Sequence, residues 1–240
     1  MILKIADFSF KVISTYGSIQ LFNKKYFDNH TPCYELKANE SDIQYESEMQ
    51  NKSNIVASGF PKAYLEFLIF QRKIAEWIPL HNALLLHSAC LDVDGVGVAF
   101  AAHSGTGKTT HMLLWQQLLG ERMTVVNGDK PIVRFFDDEP NTPYAYGTPW
   151  NGKEHLGCNM RTPLKHLCFI ERAAENSVEK LEPSNAINRI FNQVYMPKDP
   201  IAVSNTIILI KRLISSCTLW KINCNMDISA AETSYKSIFT

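Results

Sequence analysis

A short segment near the middle of the chain has the residue types and spacing that bind phosphate. Residues 102–109 read AHSGTGKT and match G-x-x-x-x-G-K-[ST] except that alanine stands for the first glycine. Gly105 and Gly107 allow the backbone to bring its N–H groups close to an anion. Lys108 can reach terminal phosphates, and the Thr109 hydroxyl is placed to ligate Mg²⁺. The segment therefore predicts a nucleoside-triphosphate site.

The neighbouring sequence supplies the elements that such a loop needs. The apolar run Val96–Ala101 predicts a buried strand, and residues 110–119 have helical spacing. A helix that begins here points its positive end at the anion. The alternative is a turn that binds nothing, and the strength of the pattern argues against it. We assign the nucleotide contacts to Ser104, Gly105, Thr106, Gly107, Lys108, Thr109 and Thr110.

Asp129 is the best candidate for the carboxylate that phosphoryl transfer requires. It follows the apolar run 123–126 and precedes Lys130 and Pro131. We expect the strand that it ends to lie beside the phosphate loop, where ligands gather at the carboxyl ends of strands. Asp129 could then hold Mg²⁺, together with Thr109, or act as a base. A turn aspartate is the alternative.

Two further side chains are weaker candidates for the catalytic site. His87 lies in the strand-like segment LLHSAC, where a hydrogen-bonded core or surface histidine is the alternative. Lys153 lies in WNGKE and could neutralise the transferred phosphoryl group, or it is a solvated loop lysine. Arg161 is a lesser alternative to Lys153. The histidines and cysteines do not have the spacing of a transition-metal site.

Composition limits the partners. The chain has 24 basic and 24 acidic side chains, which gives no electrostatic footprint for nucleic acid or an anionic membrane. No apolar run approaches the ~20 residues that span a bilayer, and the start does not resemble a signal peptide. The 6 cysteines are scattered and do not form a C-x-x-C pair, which favours reduced thiols. These features predict a cytoplasmic protein.

The pattern of apolar residues predicts two parts of the chain. Residues 1–60 are expected to form a β-rich extension packed on the core, which begins with one alternating strand and continues with short strands and loops over 29–58. Residues 61–240 form the nucleotide-binding domain. Its first helix, predicted at 61–77, is expected to pack on the nucleotide-binding core.

Within this domain, an Asp-Gly pair predicts an antiparallel hairpin of strands 83–92 and Val96–Ala101. The phosphate loop would leave the second strand of this hairpin, whereas in Ras-like proteins that strand belongs to a parallel sheet. The expected fold class is therefore α/β (α+β), with a mixed sheet. The other predicted strands lie at 123–126, 132–136, 165–172 and 219–223, and the helices at 184–194, 201–215 and 229–239.

The order of these blocks resembles the catalytic domain of HPr kinase/phosphorylase and the related phosphoenolpyruvate-carboxykinase-like P-loop kinases. It is most similar to the short HPr-kinase-like proteins of ribosomal-peptide pathways. The resemblance covers roughly residues 60 to 240. The blocks that carry it are LHSA from Leu86, SGTGKTTH from Ser104, LW from Leu114, NGDKP from Asn127 and GTPWNGK from Gly147.

This resemblance implies a mixed β-sheet with flanking helices, in which His87, Lys108, Thr109 and Asp129 line the active site. It implies a kinase that uses ATP (or GTP) and Mg²⁺ to phosphorylate a Ser or Thr hydroxyl of a peptide or protein. A small-molecule kinase, for example for free serine, and a nucleotide-binding scaffold without transfer activity are the alternatives. Relatives often form oligomers, so a homo-oligomer is an open expectation.

The sequence departs from the family pattern at two positions. Gly128 stands where relatives usually carry the first of two acids, so that one carboxylate is missing. Tyr146 stands where HPr kinase has an arginine before Gly147. Lys153 is the residue that could replace the charge of that arginine.

Overall fold

The computed structural model describes residues 1–53 and 59–240, with the side chain of residue 53 left out. These residues form two compact units, Met1–Trp77 and Ile78–Thr240. The division therefore lies after the helix that the sequence prediction, with its boundary at residue 60, assigned to the nucleotide-binding domain. No helix in the described ranges is both long and apolar enough to cross a membrane.

The first unit contains a four-stranded sheet with the strand order β3-β1-β2-β4. The predicted single strand at the start is a hairpin, because Ala6 and Asp7 adopt positive φ angles of 51° and 60° and reverse the chain. The elements are β1 (Ile2–Ile5), β2 (Phe8–Ile13), β3 (Phe27–Asp28), β4 (Tyr34–Lys37), α1 (Glu40–Ser53) and α2 (Lys62–Trp77).

Helix α1 lies where the sequence predicted short strands and loops, so that prediction is wrong there. Residues 54–58 of the predicted segment lie outside the described ranges. The Asn39 side chain accepts a hydrogen bond from the Asp42 N–H (2.8 Å), and the Asp42 carboxylate accepts one from the Asn39 N–H (3.2 Å). This reciprocal pair is a capping box, which satisfies two N–H groups at the helix start. The helix was missed because its apolar residues are too few to show a helical period.

Helix α2 confirms the prediction of a helix before Pro79, and its packing places it in the first unit. The Trp77 ring meets the rings of Phe8 and Phe10 edge-on, with centroid distances of 5.1 and 5.6 Å. These contacts hold the end of α2 on the N-terminal sheet.

The second unit is built on a mixed sheet with the strand order β5-β9-β10-β11-β7-β6-β8, extended by β13 beside β11 and β12 beside β13. Helices α4 and α5 pack on one face, and α3 and α6 pack on the other. The mixed sheet with flanking helices is confirmed. The strands are β5 (Ala83–Leu85), β6 (Ser88–Val93), β7 (Val96–Ala101), β8 (Met123–Asn127), β9 (Ile132–Arg134), β10 (Tyr144–Tyr146), β11 (Arg161–Arg172), β12 (Ser177–Lys180) and β13 (Thr218–Cys224), and the helices are α3 (Lys108–Leu119), α4 (Pro183–Phe191), α5 (Pro200–Ser216) and α6 (Ile228–Phe239).

Strands β10 and β12 were not predicted, and two predicted strands differ in length or neighbours. The strand expected at 83–92 is broken into β5 and β6, because Leu86 turns away to bridge with Val194. Strand β8 lies beside β6 and not beside β7, since β7 pairs with β6 on one side and with β11 on the other. The predicted antiparallel hairpin of β6 and β7 is confirmed.

The strand directions bring several chain segments to one edge of this sheet. β6 is antiparallel to both β7 and β8, whereas β11 is parallel to β7 and to β13. The carboxyl ends of β7, β8, β11 and β13 therefore share this edge with the amino end of β6. The phosphate loop, Asp129 and His87 all lie at these ends.

Candidate functional site

The phosphate loop connects β7 to α3 and is open on the side where an anion would bind. Gly105 and Gly107 have φ angles of 78° and 123°, in a region that side chains rarely adopt. A Cβ at either position would meet no atom within 4 Å. Both glycines are therefore needed for the backbone path and not for packing. Thr109 and Thr110 lie half-buried in the first turn of α3.

Lys108 is buried, with 8 % of its surface exposed, and its Nζ donates a hydrogen bond to the carbonyl oxygen of Ala102 at 2.8 Å. Burial lowers the pKa of Lys108, and Lys130 adds to this effect, while the charge of Asp129 opposes it. The ammonium is thus within electrostatic reach of Asp129. Since an ammonium carries three donors, Lys108 can bind a phosphate while it keeps the bond to Ala102.

Asp129 lies between two nitrogen groups. Its Oδ1 is 3.1 Å from His87 Nε2 and 3.1 Å from Lys130 Nζ. Burial alone would raise the pKa of Asp129, but the hydrogen bond from His87 and the charge of Lys130 outweigh it, so that the net pKa is lowered. Asp129 is therefore ionised at neutral pH and is a weak base.

The surroundings of His87 lower its pKa. Burial lowers its pKa, the charges of Lys130 and Lys108 lower it further, and the hydrogen bond to Asp129 only partly compensates. The neutral ring can donate from Nε2 to Asp129 without adding a positive charge. His87 therefore orients the carboxylate.

The backbone connects this pair to the phosphate loop. The Ser88 N–H donates to the carbonyl oxygen of Asp129 at 3.0 Å. Ser88 is also the partner of Ala101, the last residue of β7, in the β6–β7 ladder. Of the four residues predicted as catalytic, the structure therefore brings His87, Lys108 and Asp129 together.

Asn127 is a positioning residue that sequence reasoning missed. Its Oδ1 accepts hydrogen bonds from the N–H groups of Asp129 (2.8 Å) and Lys130 (2.7 Å). Its Nδ2 donates to Thr148 Oγ1 at 3.0 Å. The first two bonds form an Asx turn that fixes the direction in which Asp129 leaves β8. The asparagine before Gly128 was the available signal, since asparagine is typical of such turns.

A covering loop, residues 147–158, lies against the end of β8. The Gly128 N–H donates to the Leu156 carbonyl (3.0 Å), and the Cys158 N–H donates to the Val126 carbonyl (3.1 Å). A Cβ at Gly128 would lie 2.7 Å from the Asn151 carbonyl oxygen and 3.2 Å from that of Leu156. The backbone of the covering loop thus fills the space that a side chain at position 128 would need.

Lys153 lies at the exposed tip of this loop. Its neighbour Gly152 is close to the carboxylate residue, because a Cβ there would lie 3.3 Å from Asp129 Cβ. The structure therefore places the Lys153 backbone beside the site and its side chain at the surface. Arg161 instead donates to the Tyr146 hydroxyl (3.1 Å) and lies over the Tyr144 ring.

Two more residues that contact the phosphate loop were not predicted. Arg172, at the end of β11, donates to the carbonyl oxygen of Thr106 (3.0 Å) and to that of Gly105. The Gln193 amide nitrogen, in the orientation that satisfies its neighbours, donates to the carbonyls of Ala102 (3.1 Å) and His87 (3.2 Å). Neither could be found from sequence, because both depend on which strand and helix ends meet at this edge.

Two cavities border the phosphate loop, and Arg172 lines both of them. The first, of about 580 Å³, lies on the side of α4 and Gln193. The second, of about 500 Å³, lies on the side of the β13–α6 connection. Both volumes are within the range of about 300–1,000 Å³ that is typical of small-molecule sites.

The donor set is compatible with Mg²⁺ but not with a site made of protein ligands alone. In the described ranges, no group of three or more His, Cys, Asp or Glu side chains could hold a metal ion. Mg²⁺ usually takes one or two carboxylates and completes its shell with substrate phosphates and water. Asp129 and the Thr109 hydroxyl would satisfy that requirement.

Comparisons with known proteins add little to this picture. No family model matches the chain, and no curated protein matches it. Among solved structures, it is similar to the HPr(Ser) kinase/phosphatase from Coxiella burnetii, with a TM-score of 0.29, 11% sequence identity, and coverage of 52% of this chain and 86% of that chain. A similarity with so low a TM-score supports no conclusion about activity, which has to be inferred from the residues of the site.

Proposed function

We propose that this chain is a phosphotransferase that uses ATP (or GTP) and Mg²⁺ to phosphorylate a Ser or Thr hydroxyl of a peptide or protein. The observation that carries the proposal is the position of Asp129. Its carboxylate contacts His87 Nε2 at 3.1 Å and acts electrostatically on Lys108 of the phosphate loop. Phosphoryl transfer requires a loop that binds the phosphates and an adjacent, oriented carboxylate.

Each residue has a definite part in the proposed reaction. The loop amides and Lys108 hold the β- and γ-phosphates. The acceptor oxygen bonds to the γ-phosphorus, the bond to the bridging oxygen breaks and a nucleoside diphosphate leaves. The hydroxyl proton goes to Asp129 if that residue is the base, and otherwise to solvent. Asp129 would either ligate the metal, together with Thr109, or accept the proton of the acceptor hydroxyl, and its variant distinguishes the two roles. Mg²⁺ at these residues would balance the charge that develops on the phosphates.

A matched pair of variants tests this proposal. Purified chain is incubated with γ-labelled ATP or GTP, with and without Mg²⁺, and with Ser/Thr peptides or free serine. We expect label on a hydroxyl acceptor, a strong loss with Asp129→Asn, and no loss with Asp138→Asn, which changes an exposed turn. If Asp129 is a metal ligand, its variant also loses the Mg²⁺ dependence of nucleotide binding. If it is the base, binding remains normal.

A second candidate function is a nucleotide-binding scaffold without transfer activity. The observation that favours it is the absence of a side chain at Gly128, whose place is filled by backbone. Nucleotide binding by the wild-type chain, with no transfer to any peptide, to free serine or to water, would support the scaffold and contradict the phosphotransferase. Label on free serine alone would instead identify a small-molecule kinase.

A further inference from the structure

The two cavities beside the phosphate loop differ in the residues that line them. The second cavity is the more apolar of the two, with Ile170, Ala173, Cys224 and Met226 in its walls. Its polar groups are Thr106, Thr110, His111, Arg172 and Asn225. The first cavity has more polar groups, since its lining includes Glu171, Asn188, Arg189, Asn192 and Gln193 beside Phe169 and Ile170. Pockets with apolar walls and few polar groups suit flat ring systems.

The cavities also differ in their relation to the residues proposed for transfer. The first is lined by Gln193, whose backbone carbonyl accepts a hydrogen bond from the His87 N–H at 2.6 Å. The first cavity therefore lies on the side of His87, which contacts Asp129. The second is lined by Gly107, Thr110 and His111, at the start of α3. None of these three residues hydrogen-bonds to His87 or Asp129 in the described ranges.

We infer that the second cavity binds the nucleobase and ribose of the nucleoside triphosphate, and that the first receives the hydroxyl acceptor. This inference rests on the proposed function, since it orients the same nucleotide. The triphosphate would run through the loop from Thr110 to Lys108, with its γ-phosphate on the His87 side.

Two side chains of the second cavity are suited to a base. Met226 is 76 % exposed, and an exposed, flexible thioether can close over an aromatic ring. His111 is 1 % exposed, and its Nδ1 has no hydrogen-bond partner in the described part of the chain, whereas its Nε2 lies 3.1 Å from Ser234 Oγ. A buried nitrogen without a partner is costly, and a base edge is one group that could satisfy it.

Filling each cavity in turn tests this orientation. Ala173→Trp fills the second cavity and removes no side-chain hydrogen bond, and Asn188→Trp fills the first from the exposed side of α4. Affinities for ATP and for inorganic tripolyphosphate are measured by calorimetry. We expect Ala173→Trp to lower the affinity for ATP by about tenfold or more and the affinity for tripolyphosphate by less than about twofold. Asn188→Trp should leave both affinities unchanged and lower transfer.

The opposite selectivity, with Asn188→Trp weakening ATP but not tripolyphosphate, would overturn the inference, as would an unchanged ATP affinity in Ala173→Trp. If Ala173→Trp weakens both ligands equally, photolabelling of the wild-type chain with 8-azido-ATP decides. Label in residues 224–226 supports the orientation, and label in 188–193 contradicts it. A wild-type chain that binds neither ligand would refute the proposed function itself.

Discussion

Two loops of this chain, residues 14–18 and the phosphate loop, differ in whether a carboxylate of the chain binds their backbone N–H groups. In the first unit, the N–H groups of Thr15 (2.7 Å), Tyr16 (3.3 Å) and Ser18 (3.2 Å) donate to the buried carboxylate of Glu66. In the second unit, no carboxylate of the described residues bonds to the amides of the phosphate loop. Lys108 lies there instead and donates to Ala102.

The difference distinguishes a structural loop from a binding loop. A concave set of amides attracts anions wherever it occurs. When a carboxylate of the same chain binds these amides, it stabilises the conformation of the loop. When the neighbouring side chain is a lysine, the loop attracts negative charge from outside. The local backbone geometry therefore does not identify a binding site by itself, and the sign of the charge that faces the amides is what separates the two cases.

The largest effect is expected when Glu66 is removed. Glu66→Ala leaves three backbone donors and the Ser14 hydroxyl without their acceptor. The Ser18 donor is buried and the other three are partly buried. Since a buried donor without its acceptor costs about 1–3 kcal/mol and a partly buried one costs less, we expect the first unit to lose about 3 kcal/mol. Hydrogen exchange of the β1 and β2 amides measures the loss for this unit separately. Glu66→Gln is the control and should lose less, because its amide oxygen still accepts. Equal losses would mean that the hydrogen bonds are not what Glu66 contributes.

Removal of the cation in the other loop should affect binding and not stability. We expect Lys108→Ala to weaken triphosphate binding by roughly 10- to 100-fold, the worth of a charge-assisted contact of about 1.5–3 kcal/mol. Calorimetry with ATP gives the ratio, and Lys165→Ala, which removes an exposed lysine of β11, is the control. An unchanged affinity in Lys108→Ala would mean that the phosphate loop is not a binding loop.

Gly128 extends the comparison, because backbone oxygens occupy the space that a side chain at this position would need. A side chain there must displace the covering loop, whichever side chain it is. We therefore expect Gly128→Ala and Gly128→Asp to lower transfer to a similar extent, by about tenfold, the cost of shifting the loop that abuts Asp129. Transfer rates of the two variants are compared directly. A gain with Gly128→Asp alone would show that the site is a degenerate enzyme that lacks its second acid.

Acidification should destabilise the first unit through protonation of Glu66. Burial tends to raise the pKa of Glu66, but its hydrogen bonds from Ser14, Ser18 and Thr15 outweigh burial, so that the pKa lies below its ordinary value of 4.5. Such a group stabilises the fold fully above pH 4.5, and this contribution is lost as the pH falls through the lowered pKa. Exchange of the β1 amides should therefore accelerate on acidification below pH 4.5. In Glu66→Gln the acceleration should be smaller, and an identical pH profile would contradict the assignment.

The two loops were not equally visible in the sequence. The phosphate loop carries its information locally, since the glycines, the lysine and the apolar strand Val96–Ala101 are contiguous. The conformation of the Glu66 loop depends on a contact between residues about fifty positions apart, and no local sequence pattern predicts that contact. Helix α1 was not predicted for a related reason. The capping box at Asn39 was present in the sequence, but the helical period of the apolar residues was too weak to outweigh the polar composition.

The candidate site shows the same limit. Asp129 and His87 could be proposed as separate residues, because each follows or begins a strand. That their side chains meet at 3.1 Å depends on β6 lying between β7 and β8, which periodicity does not encode. Arg172 and Gln193 became visible only with the sheet order. Local chemistry was therefore predictable, whereas partners supplied by the far ends of other strands and helices were not.

The smallest effect comes from a matched pair of glycines. Gly17 and Gly105 have φ angles of 86° and 78°, and a Cβ at either would meet nothing within 4 Å. Gly17→Ala and Gly105→Ala should therefore cost their own units similar amounts, about 1 kcal/mol of backbone strain. Only Gly105→Ala should also lower the affinity for ATP, by a few-fold, because only its loop is proposed to bind an external anion. Hydrogen exchange and calorimetry measure the two quantities on the same samples. An equal ATP affinity in both variants would mean that the open space above Gly105 is solvent and not a phosphate site. The two loops would then differ in charge but not in the binding of an external anion.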